Sequence, residues 1–225
     1  MCGRFALYHD GAAITQHLAV QQIAVEFKPR YNIAPTQAVA AILQHPEQSE
    51  PVLDALQWGL VPFWAKDAKI GSRMINARAE TVAEKPAYRA AFKRRRCLIA
   101  ASGYYEWKKQ ENGKIPYYFT MRDNRPFAMA GLWEEWHSPD GELLHTCTLV
   151  TTQANATVSA IHHRMPVILT LPQQRAWFDT DPENRTALEN LLQPYEGNDL
   201  SAHPVSTQVN AATWDTPSCI EEIIN

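Results

Sequence analysis

Apolar and polar positions change period along this chain, and each change marks an element. Within Ala12 to Phe27, Ile14, Leu18 and Val25 fall near helical spacing, which predicts a surface helix closed by Pro29. Arg30 to Pro35 reads as extended or looped, and strands follow over Ala38 to Gln44 and Val52 to Leu60. The second strand runs into Trp58-Gly59-Leu60-Val61-Pro62-Phe63-Trp64, an aromatic loop suited either to plug a core or to stack on bases. Ile75 to Glu80 alternates, which puts Asn76, Arg78 and Glu80 on one face. Thr81 and Glu84 have capping-box spacing, Pro86 suits an early helical turn, and Tyr88 and Phe92 share a face; together they predict a helix running into Lys93-Arg94-Arg95-Arg96. Those four cations read equally as a phosphate patch or as a solvated helix end favoured by the dipole.

From Cys97 onward the turns predict a meander of antiparallel strands. Asn112-Gly113 is a type I′ hairpin signal between Leu98 to Lys108 and Ile115 to Arg122. Asp123-Asn124 then reverses the chain into Pro126 to Glu135, and Asp140-Gly141 reverses it into Leu143 to Thr152. Asn155 to Ile161 predicts a short helix, Thr170 with Gln173 and Asp181 with Pro182 predict two helix starts, and the tail from His203 carries only short strand-like or irregular signals. Strands in series with segregated helices predict an α+β fold: a single domain over residues 1–225, with a curved, mainly antiparallel sheet or barrel flanked by helices.

Composition narrows the functional classes. A chain of 225 residues, 45% hydrophobic, buries a sizeable core as one domain. A net charge of −3 and a pI near 6.2 argue against holding a polyanion by bulk charge, so any nucleic acid must be met by a local patch. The longest apolar run, Ala38 to Leu43, is far short of a membrane span, and no signal pattern opens the chain; a soluble, cytoplasmic monomer is expected. Cys2, Cys97, Cys147 and Cys219 are scattered without metal-ligand spacing, so neither a metal nor another cofactor is expected.

The candidate chemistry begins at Met1-Cys2-Gly3-Arg4-Phe5. Removal of Met1, expected before so small a side chain, leaves Cys2 with a free α-amine beside its thiol. An α-amine of reference pKa about 7.7–8.0, against about 10.4 for lysine, is far more often neutral near pH 7 and forms a Schiff base with an aldehyde without needing burial. The adjacent thiol then closes on the imine carbon with an effective molarity of order 10⁵ M or more, giving a thiazolidine. A lone cysteine at position 2 is by itself more often incidental. Further along, alternation places Glu106 opposite Tyr105 and Trp107, as a surface glutamate or as a general acid or base. His162 is a structural histidine or a proton carrier.

Read together, Met1-Cys2-Gly3-Arg4-Phe5, Tyr31-Asn32-Ile33-Ala34-Pro35, Trp58 to Pro62 with Trp64, Asn76-Ala77-Arg78-Ala79-Glu80-Thr81, Gly103-Tyr104-Tyr105-Glu106-Trp107, Ile161-His162-His163-Arg164-Met165-Pro166 and Pro204-Val205-Ser206 resemble the SOS-response-associated peptidase family from end to end. Members of that family crosslink to abasic sites in single-stranded DNA. The resemblance implies a groove leading to Cys2, with His162 assisting sugar ring opening, Glu106 moving protons at the amine and carbinolamine, and Asn76 orienting the amine or sugar. It gives Arg4 and Arg78 to the phosphates, helped by Asn32, Thr151 and Arg164, and offers Trp64 and Trp107 for stacking or wedging. Two positions depart: His163 stands where an acidic or amide residue is common, and Ala211 where a second asparagine is common. The competing readings are a cysteine-dependent autopeptidase or amide hydrolase using Cys2 thiol-first, and a noncatalytic single-strand binder.

Overall fold

Alternation along each strand decides which side chains enter the core. A computed structural model of the chain describes residues 2–44 and 50–223; the expected removal of Met1 lies outside the described residues. In chain order the elements are β1 (Phe5–Leu7), α1 (Gly11–His17), β2 (Gln22–Ile23), β3 (Arg30–Ile33), β4 (Ala38–Leu43), β5 (Val52–Trp58), β6 (Asn76–Arg78) and α2 (Arg89–Arg94). The meander comprises β7 (Arg96–Ala101), β8 (Gly103–Gln110), β9 (Gly113–Met121), β10 (Phe127–His137) and β11 (Leu143–Gln153). The chain ends through α3 (Ala156–Ser159), β12 (Arg164–Pro166), β13 (Ile168–Leu169), α4 (Leu171–Asp179), α5 (Arg185–Asn190) and β14 (Leu200–Pro204).

Five of these strands close a barrel. Antiparallel pairing runs β11-β10-β7-β4-β5, and a parallel pairing of β5 with β11, at Gln57 with Thr146 and Trp58 with Cys147, joins the ends. A second, five-stranded antiparallel sheet, β14-β9-β8-β1-β3, packs beside it. In β1, Phe5 and Leu7 face the barrel while Ala6 faces away into a smaller cluster with Tyr105 and Tyr118. Phe5 meets the buried Trp58 edge to face at 5.2 Å, a geometry worth about 0.5–1.5 kcal/mol beyond area burial. The expected α+β domain with a barrel is thus what the chain forms.

Several predicted elements change at their boundaries. The helix over Ala12 to Phe27 stops at His17, because Gln22 and Ile23 pair with Val52 and Leu53 as an added strand. The helix from Thr81 reduces to Arg89–Arg94 after a run of turns; Pro86 has no N–H to continue a helix that began at Thr81. The strand expected over Leu98 to Lys108 is two strands. Buried Ser102 divides them, its N–H donating to Ala6 at 2.7 Å as the chain crosses from barrel to sheet. At the Asn112-Gly113 hairpin only Gly113 has a positive φ, so the turn is not type I′. The last helix is capped by Asn184, which accepts from Ala187, and not by Asp181. The capping box of Thr170 and Gln173 is formed as expected.

The aromatic loop is an excursion between two strands on one edge of β11. β5 leaves that edge after Trp58, and β6 resumes it with Asn76 opposite Leu149 and Arg78 opposite Thr151. Gly59, at φ 127°, and Gly71 lie so close that a Cβ on either would come within 2.7 Å of the other's backbone oxygen. This contact pins the base of the loop and delivers Asn76 to a fixed place.

Candidate active site and nucleic-acid surface

Cys2, Asn76, Glu106 and His162 converge where the five-stranded sheet meets the barrel. Cys2 precedes β1 and is fully buried, with its carbonyl accepting a 2.8 Å hydrogen bond from Asn76 Nδ2 on β6. Asn76 therefore orients residue 2 through its backbone. The Tyr88 hydroxyl donates to the Asn76 carbonyl at 3.3 Å, tying the start of α2 to the same point. The Cys2 thiol lies 3.8 Å from the Arg4 carbonyl as a donor, and burial, with the Glu106 carboxyl nearby, pushes its pKa far up. At neutral pH the sulfur is a thiol.

Glu106 follows from β8 alternation: Tyr105 packs outward with Trp107 nearby, whereas Glu106 faces the barrel and is 3% exposed. Burial raises its carboxyl to about 7, where it can serve as acid or base. His162 Nδ1 lies 3.7 Å from Glu106 Oε1 and 3.1 Å from both the N–H and the carbonyl of Arg164, so the backbone there accommodates either tautomer. Burial, the largest influence, holds the His162 pKa below its usual value, and the His163 ring packs against it at 4.4 Å.

Tyr104 was not singled out by sequence reasoning. It shares the inner face of β8 with Glu106, is fully buried, and its hydroxyl meets no hydrogen-bond partner among the described residues. Burial first, and then the nearby Cys2 and Glu106, keep this phenol protonated. Its spacing of two from Glu106 was the available signal. Asn76 Oδ1 is likewise buried without a partner among the described residues.

The expected DNA-binding residues separate into two groups. Arg78 is exposed two positions beyond Asn76 without an ion-pair partner among the described residues, and Trp64 is 51% exposed. Trp107 is half-buried and donates its indole N–H to Asn210 Oδ1 at 2.7 Å. The others are committed inside the protein. Arg4 donates to Asn32 Oδ1 and to the carbonyls of Val209 and Asn210 at 2.8, 2.7 and 3.0 Å. Asn32 is fully buried, and its amide donates to Val209, Ala211 and Trp214. Arg164 forks onto Glu80 and donates to the Thr151 carbonyl at 2.6 Å, while Thr151 is itself fully buried. Asn32 and Thr151, expected to help at the phosphates, are both fully buried and contact Arg4 and Arg164 respectively.

The basic run also divides. Buried Arg96 donates to five carbonyls, those of Phe92, Lys93, Trp177, Phe178 and Thr180, and so closes the ends of α2 and α4. Lys93 pairs with Glu183 and Arg95 with Glu134, leaving Arg94 exposed. Among the described residues no group of three or more His, Cys, Asp or Glu has metal-holding geometry, and no helix is long and apolar enough to cross a membrane.

Comparison with known proteins places this arrangement. Residues 1–212 match the family model described as SOS response associated peptidase (SRAP). The chain is 42% identical over 224 residues to abasic site processing protein YoqW of Bacillus subtilis, covering 98% of this chain and 99% of that protein. Abasic site processing protein HMCES of Xenopus tropicalis is 34% identical, over 88% of this chain and 68% of its own length. A crystal structure of a Bacteroides thetaiotaomicron protein superposes with TM-score 0.85 at 25% identity, covering 99% of this chain and 100% of that one. With a family model spanning nearly all its length, the chain belongs to the SOS response associated peptidase family.

Proposed function

We propose that this chain captures abasic sites in single-stranded DNA covalently, through the α-amine and thiol of Cys2 once Met1 is removed. The observation that carries the reading is the environment of residue 2: Asn76 holds its carbonyl, and Glu106, at about 7, faces His162 at 3.7 Å beside it. The relatives named for abasic-site processing support the substrate class.

His162 donates a proton to the ring oxygen as the sugar hemiacetal opens to its aldehyde, and takes up the proton of the anomeric hydroxyl. The neutral α-amine adds to the aldehyde carbon to give a carbinolamine; Glu106 in its acid form protonates the departing hydroxyl, water leaves, and the resulting carboxylate takes the nitrogen proton to give an imine. The thiol sulfur then bonds to the imine carbon, its proton passes to the nitrogen, and the thiazolidine ring closes. The net change is aldehyde plus aminothiol giving thiazolidine plus water. Each proton transfer is worth ~10²–10⁴-fold. Arg78 supplies an exposed cation two positions from Asn76, and Trp64 an exposed ring in the loop between β5 and β6. An abasic position has no base to unstack, so bending a flexible strand to a recessed residue costs little.

The thiol-first peptidase reading requires a thiolate, and burial of Cys2 opposes one. The test is to mix protein of confirmed mass with a labelled single strand carrying one abasic site and run a denaturing gel beside Cys2→Ala. A band that survives denaturant and vanishes in the variant is expected. Its absence in protein shown to lack Met1 overturns the proposal.

A further inference from the structure

The geometry points to a second nucleic-acid subsite, a groove along α2 that takes the strand flanking the lesion, its phosphates on Arg89 and Arg94 and a base on Phe63. This inference rests on the proposed DNA substrate and extends its path. The groove encloses about 950 Å³, near the top of the range of roughly 300–1,000 Å³ common for ligand sites. Its floor includes Ala83, Ala90 and Trp133, and its rim carries Arg89, Arg94 and Phe63.

Charge and position select the occupant. Arg89 and Arg94 are exposed and have no ion-pair partner among the described residues, in a chain whose net charge is −3. Of the two carboxylates in the lining, Glu134 is paired with Arg95, and Glu135 is half-exposed with the His145 ring at 3.3 Å. A lining with four basic residues, Arg89, Lys93, Arg94 and Arg95, against two carboxylates, beside an apolar floor, suits an anionic polymer with flat apolar side groups. Phe63 is 59% exposed and immediately precedes Trp64 in the aromatic loop, so its ring is available for stacking without unfolding anything. The groove is also joined to the chemistry. Tyr88, whose hydroxyl contacts the Asn76 carbonyl, directly precedes Arg89, so a strand leaving the lesion past Asn76 meets α2 next. The basic run that the sequence leaves ambiguous thereby resolves: Arg96 is structural, and Arg94 with Arg89 is the free cationic edge.

The test compares undamaged oligothymidylate of four and twelve nucleotides by fluorescence anisotropy across a salt series, using wild type, Arg89→Ser/Arg94→Ser and Phe63→Ala. The double variant is expected to bind the twelve-mer about tenfold more weakly at low salt, with the slope of log K against log salt reduced by about 1.4, two single-strand contacts at ~0.7 each. Phe63→Ala is expected to weaken the twelve-mer about fivefold with the slope unchanged. Neither substitution should alter binding of the four-mer. Crosslinking of the double variant to a four-mer with a central abasic site should match wild type, which reads the chemistry apart from the groove. An unchanged twelve-mer slope in the double variant overturns the subsite even if crosslinking is intact. So does binding of a poly-glutamate peptide that the double variant loses while twelve-mer affinity stays at the wild-type value, an outcome assigning the groove to an acidic protein.

Discussion

Two polar clusters flank β1, and they are built in opposite ways. In the clamp below it, Asn32 has its donors and its acceptor filled, Arg4 is shared among Asn32 and two carbonyls, and Asp215 accepts the N–H groups of Tyr31 and Asn32 while pairing with Arg30. At the junction with the barrel, Asn76 Oδ1 and the Tyr104 hydroxyl meet no partner among the described residues, and burial has moved Glu106 to about 7. Complete satisfaction makes the first cluster rigid. Burial without full pairing suits the second to the proton transfers proposed for it, because groups displaced from their ordinary protonation are the ones able to exchange protons near neutral pH.

The sharpest way to break this contrast is Cys2→Ser, which keeps the amine and shape but removes the sulfur. Complete loss of the denaturant-stable adduct is expected on the gel, with thermal melting little changed. A surviving adduct would move the chemistry elsewhere. Next is Glu106→Gln, expected to slow crosslinking by ~10²–10⁴-fold in single-turnover kinetics. The same variant should be more stable than wild type above neutrality. A carboxyl raised from 4.5 to about 7 on folding contributes stability that is fully present below the unfolded pKa and is lost as pH rises through about 7. The amide does not ionise, so its advantage should be ~1–3 kcal/mol at pH 8 and vanish near pH 4, read by urea titration at each pH.

The clamp should respond in the opposite sense. Asn32→Ala leaves several buried groups without partners and is expected to cost ~2–4 kcal/mol in urea unfolding, while crosslinking per folded molecule falls far less than in Glu106→Gln. The smallest effect is expected from Arg78→Ala: a severalfold weaker encounter with single strands, a salt slope reduced by ~0.7, and a finished adduct as stable to salt as in wild type.

What the sequence revealed of these clusters depended on how local the signal was. Alternation set Glu106 opposite Tyr105 and Trp107 and put Asn76 on one face with Arg78 and Glu80 but did not say which face is buried, whereas Asn124 and Gly141, with φ of 56° and 86°, marked the reversals that order the meander. The motifs also brought Cys2 and His162 into consideration, although only folding could set His162 beside Glu106. Distant partners were not legible. Nothing around Asn32 announces that its amide meets Trp214, 182 residues away, or that Arg96 closes the end of a helix more than 80 residues later. The same blindness hid the corner at Ser102, since a strand that continues straight and one that changes sheet have the same period.

The Arg4 contacts with Val209 and Asn210 span 205 and 206 residues. During synthesis Arg4 leaves the ribosome 205 residues ahead of the first of the two carbonyls that hold it. Loops that long close late. The contacts that hold Arg4, two residues from Cys2, are therefore completed only after Val209 and Asn210 have left the ribosome, long after the strands that carry Asn76 and Glu106.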